Sequence, residues 1–156
     1  MRLPFRQMSA AALILGAGLS VASAQDAGPF DFDLKIKFDA KAAARLSELG
    51  EKATVSAYYY GEPNADGAGN TNESGQISLG TEDFNISGET QTVTLVGAIN
   101  TSALAWVVDG HPRVNVNVYS ARKAVADNIL NCDIFEDYIS VGQRKSPNIK
   151  CTLLNP

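Results

Sequence analysis

Phe30–Asp39 reads FDFDLKIKFD. Phe30, Phe32, Leu34, Ile36 and Phe38 are apolar, and Asp31, Asp33, Lys35, Lys37 and Asp39 fill the alternate positions. A period of two belongs to a strand with one face on a core and the other in water. Asp39 also suits the N-cap of the next stretch, AKAAARLSEL, where Ala42, Ala43, Leu46 and Leu49 form one apolar stripe and Gly50 is placed to end a helix. The reading is a half-buried strand, then one short helix packed on the sheet.

The period of two returns downstream. Val55, Ala57 and Tyr59 alternate with Thr54, Ser56, Tyr58 and Tyr60. Ile77 and Leu79, Phe84 and Ile86, and Val93, Leu95 and Ile99 continue the pattern. Val114, Val116 and Val118 alternate with Asn115, Asn117 and Tyr119, and the pairs around Cys132 (Leu130, Ile134) and Cys151 (Ile149, Leu153) close the chain. Gly, Asn, Asp and Pro separate these runs. Seven or eight short strands so punctuated predict a mainly β protein, an antiparallel β-sandwich, Ig-like or similar, with one short helix after the first strand. Thr101–Val108, TSALAWVV, lacks alternation and reads as either a helical turn or a buried strand, with Trp106 either core or surface.

The chain's start carries an address. Arg2 and Arg6 precede the apolar run AALILGAGLSVA, and Ala22-Ser23-Ala24 has the small-x-small pattern of a signal-peptidase site. Residues 1–24 therefore read as a signal peptide cleaved before Gln25, and 25–156 as a single domain exported to the periplasm or beyond. The apolar run falls short of the roughly 20 residues a spanning helix needs, so no membrane insertion is expected. Arg2 and Arg6 are the only charged residues before Gln25, which leaves 11 basic and 17 acidic residues, a net charge of −6. Such a surface argues against nucleic acid or an anionic membrane as partner. Cys132 and Cys151, 19 positions apart on the apolar phase of the last two strands, read as a structural disulfide in or beside the core. Without a nearby histidine or further cysteines they do not close a zinc site.

No stretch carries a catalytic or cofactor signature, and no cofactor is expected. The long polar segment after the tyrosines, GEPNADGAGNTNESGQ from Gly61, fails the EF-hand pattern at its fifth and twelfth positions, leaving Glu62, Asp66, Asn70 and Glu73 as weak metal candidates beside the plainer reading of a solvated connection. At its base, Tyr58 and Tyr60 share one strand face. With Asn115, Asn117 and Tyr119 on another strand they form the candidate ligand-binding set, a platform for a carbohydrate or a protein partner. His111, in VVDGHPR with Asp109 beside it, is the one histidine a serine hydrolase would have to use. Asn72-Glu73-Ser74, Asn85-Ile86-Ser87 and Asn100-Thr101-Ser102 match the N-glycosylation pattern, which matters only in a eukaryotic secretory pathway. The expected function is an exported binding or interaction module without enzymatic activity, with a structural envelope or assembly subunit and a secreted hydrolase using His111 as alternatives.

Overall fold

The computed structural model describes residues 28–154, so the expected signal peptide, residues 1–24, and its expected cleavage before Gln25 lie outside the described residues. The first strand, β1 (Phe32–Phe38), buries Phe32, Leu34 and Ile36 on one face, as its alternation requires. Asp39 caps helix α1 (Ala40–Leu49), its carboxylate accepting the Ala42 amide at 2.7 Å, and Gly50 ends it with φ 63°. Only glycine takes that left-handed backbone without strain.

The remaining elements are β2 (Ala53–Gly61), β3 (Ile77–Ile86), β4 (Gln91–Leu95), β5 (Arg113–Ser120), β6 (Leu130–Cys132), β7 (Phe135–Tyr138), helix α2 (Ile139–Lys145) and β8 (Asn148–Leu153). They form two four-stranded sheets, ordered β4-β1-β8-β6 and β3-β2-β5-β7, which contribute to one buried apolar cluster. Among the described strands, only β2 and β3 are consecutive members of the same sheet; every other connection crosses to the other one. Helices α1 and α2 are two of these crossings.

Three features depart from the sequence reading. β1 pairs with β8 in parallel, so the sheets are antiparallel-rich and not wholly antiparallel. Strand β7 and helix α2 are additional elements. In β7 the alternation is inverted in character: Asp137 shares the inward phase with Phe135, while Tyr138 faces out, 42 % exposed. Helix α2 has no side-chain N-cap, and Gly142 sits in its middle because the Phe32 ring lies where a Cβ would project. Finally, Ile77–Leu79 and Phe84–Ile86 are one strand: a register shift opposite Tyr59/Tyr60 moves the inward phase of β3 from odd to even residues. Ile134 lies beyond β6 and is exposed, at the crossing into β7.

Cys132 and Cys151 face each other across β6 and β8 and are bonded, with Cys151 buried, as their phase predicts. Constraining an unfolded loop of this length contributes roughly 3 kcal/mol. Reduction should therefore lower the melting temperature by roughly 10 °C for a domain of this size. Thermal unfolding with and without reductant, alongside thiol alkylation of the native protein, checks this; two alkylated thiols in the unreduced native protein would contradict it.

Candidate functional site

Strand pairing gathers the sequence-picked residues on one face of the β3-β2-β5-β7 sheet. Tyr58 lies opposite Asn115, Ser56 opposite Asn117 and Thr54 opposite Tyr119, while Asn115 and Arg113 lie opposite Glu136 and Tyr138 of β7. Tyr59 takes the other face and is fully buried beside Val55 and Ala57. Its hydroxyl donates to Glu82 Oε2 at 2.8 Å, and burial first, then this carboxylate, pushes the phenol pKa up.

On the outward face the tyrosine rings stack, with Tyr58 and Tyr60 centroids 5.7 Å apart and planes 10° from parallel. The row continues across the sheet. The Arg113 guanidinium lies 5.7 Å from the Tyr60 ring centre and 5.1 Å from that of Tyr138, whose ring meets His111 edge-on at 6.4 Å. Five side chains from β2, β5, β7 and the turn before β5 thus form a continuous aromatic–cation ladder. Cation–π contacts of this kind contribute on the order of 0.5–1 kcal/mol each.

A polar row runs beside the ladder. The Asn117 amide donates to Asn115 Oδ1 at 2.7 Å, Asn115 donates to Glu136 Oε2 at 3.1 Å, and the Tyr60 hydroxyl donates to Glu136 Oε1 at 2.6 Å. The Tyr60 bond, with that of Asn115 next, holds the Glu136 carboxyl below its usual range. Burial, then Glu136, pushes the Tyr60 phenol up to about 12. Tyr60 is only 2 % exposed. Its ring is therefore an internal rung and offers no open face, whereas Tyr138, which the sequence reading did not single out, supplies the exposed aromatic surface. Trp106, at 39 % exposed, lies on the surface.

The candidate set divides between two ends of this face. Tyr58, Tyr60 and Asn115 belong to the ladder. Asn117 and Tyr119 line a separate groove of about 500 Å³ with Arg122 and the exposed Ile134 and Leu154. At the ladder's far end two cavities, of about 270 and 180 Å³, share His111 and Tyr138. Glu62, Val108, Asp109 and Arg113 complete the larger one. Among the described residues the His111 ring makes no hydrogen bond to Asp109 or to a serine hydroxyl, although Ser140 lines the smaller cavity.

The segment after the tyrosines is docked at its start and differs there from a solvated connection. Pro63 bridges to Val107, the Val108 amide donates to the Glu62 carbonyl, and Asn64 both donates to the Ala105 carbonyl at 2.8 Å and accepts the Gly67 amide at 2.9 Å. Asn72 then donates to the Tyr58 hydroxyl at 2.7 Å. Glu62 faces the cavity while Asp66, Asn70 and Glu73 lie along the exposed part of the loop, and among the described residues no three His, Cys, Asp or Glu side chains converge on one point. Asn64→Ala should cost about 1–2 kcal/mol, since the Ala105 carbonyl loses its side-chain donor, while the Gly67 amide and the Val107 carbonyl keep backbone partners at Asn64 and Gly110. Thermal unfolding and the rate of proteolytic nicking within 64–76 measure it, and an unchanged variant would show that the docking is incidental.

No protein-family model, no curated protein and no solved structure matches this chain, so the meaning of the site rests on its own geometry.

Proposed function

We propose that the protein is an exported binding module of the periplasm or extracellular space, a β-sandwich of Ig-like or similar kind. Its ladder face takes a carbohydrate or protein ligand. The supporting observation is the ladder itself. Sheet stability alone is served by pairwise cross-strand contacts. Here the aromatic rungs instead lead without interruption to an exposed tyrosine beside two cavities, the larger of them also lined by the exposed Val108. Rigid amphipathic rings next to polar groups are the usual makings of a recognition surface. The disulfide fits an oxidising compartment. Among the described residues, no helix is long and apolar enough to cross a membrane.

Glycan and peptide arrays probed with the wild-type protein and with Tyr138→Ala test the reading. Tyr138 is an exposed edge-strand residue, so its truncation should leave the fold intact while weakening retention on one class of ligand about tenfold or more, the size of a lost interface anchor. Equal retention by both proteins, or no ligand on either array, would contradict it.

A further inference from the structure

Arg113 is surrounded by carboxylates and bonded to none. Both oxygens of Glu136 are occupied by Tyr60 and Asn115, and Arg45–Glu48 is the one side-chain ion pair among the described residues. The Arg113 Nε is buried and has no hydrogen-bond partner. A buried donor without a partner forfeits its hydration with nothing in return, so it marks a place where structure is arranged for something else. The guanidinium carbon lies over two tyrosine rings, 5.7 and 5.1 Å from their centres, and Arg113 forms part of the wall of the 270 Å³ cavity. A planar, always-charged fork fixed in this way is preorganised for a bidentate oxyanion.

The rest of the lining selects among oxyanions. Glu62 and Asp109 share the cavity and are exposed, which sets two carboxylate side chains at its rim. A dianionic phosphate would be repelled twice over, whereas a carboxylate meets the guanidinium with one charge. Hydroxyls or an ammonium on the same ligand could then donate to Glu62 or Asp109, and the Tyr138 ring offers an apolar face to what remains.

From this we infer that the cavity at the ladder's end is a carboxylate-binding subsite, with Arg113 as its anchor. It would take a small monocarboxylate that also bears hydrogen-bond donors, a hexuronic acid or an α-amino acid. The inference rests on the ladder as a binding surface, yet it can fail alone.

The test is a titration of the ¹³C,¹⁵N-labelled full-length protein followed at the Arg113 Nε–H resonance, assigned through its correlations to the carbons of its own side chain. The other described arginines are exposed, so this proton should exchange slowest. Galacturonate, galactose, L-alanine and inorganic phosphate are the probes. A saturating shift with galacturonate or with L-alanine, and none with galactose, supports the subsite; whichever of the two acts names the source of the carboxylate. Arg113→Lys, read at the backbone amides of His111 and Tyr138, should weaken that probe about tenfold, since the charge survives but the fork is lost. An unmoved resonance with both carboxylates, an equal response to galactose, or tighter binding of phosphate overturns it. Because the wild-type titration stands by itself, a poorly folded lysine variant does not blur the result. Tyr138-dependent retention on an array together with a silent Arg113 would discard the subsite and leave the binding module standing.

Discussion

Gly80→Ala should destabilise the protein by about 3–5 kcal/mol, a large share of the roughly 5–15 kcal/mol that holds a domain folded. Gly80 has φ 151°, a conformation that residues with a side chain scarcely adopt, and an added Cβ would run into the Ala98 carbonyl. It lies opposite Tyr59 beside the register shift in β3. That shift brings Glu82 onto the inward phase, where it accepts the buried Tyr59 hydroxyl and, through its other oxygen, the Val96 amide at 3.1 Å. Straightening the strand to accommodate alanine would undo both bonds. Chemical denaturation of the variant measures the loss. A change below about 1 kcal/mol, the cost of an average point substitution, would mean that the shift is not needed.

Glu51→Ala should cost about 3–4 kcal/mol and remove part of the acid sensitivity of the fold. Glu51 is 5 % exposed, and its carboxylate accepts the amides of Lys52, Lys123 and Ala124 at 2.9, 2.8 and 2.6 Å. It thereby fastens the β5–β6 crossing to the start of β2. Burial by itself pushes the Glu51 carboxyl up, but the backbone amides of Ala124, Lys52, Lys123 and Val125 together outweigh it and hold the group below its ordinary value of 4.5. A group whose folded pKa lies below its unfolded value stabilises fully above the latter and loses that contribution as pH falls through the former. The wild-type melting temperature should thus decline as pH drops below about 4.5, with a shallower decline in Glu51→Gln. Parallel slopes for the two proteins would show that other carboxylates govern acid unfolding.

Local chemistry was legible in the sequence, and long-range assembly was not. β1 and α1 follow from alternation and from Asp39 and Gly50, all of which act within a few residues of one another. β7 is hidden because Asp137 occupies the inward phase and Tyr138 the outward one, against the usual polarity. Helix α2 is hidden by its missing N-cap and by Gly142, kept small for Phe32 from the other end of the chain. The site divides in the same way. Tyr58 and Asn115 could be found from strand phase. Arg113, Glu136 and Tyr138 join them only through the β2-β5-β7 pairing order, and Glu51 meets its partners 72 and 73 residues away. No period in the sequence encodes either.

The central claim is that the ladder face binds a ligand at its Tyr138 end, and an amide chemical-shift map with whichever glycan or peptide the arrays retain tests it most directly. Perturbations should concentrate in residues 58–62, 108–115 and 136–140, the stretches that build the ladder and its two cavities. A map centred instead on β4, or on the disulfide-linked β6 and β8, would place the binding surface elsewhere and contradict the account.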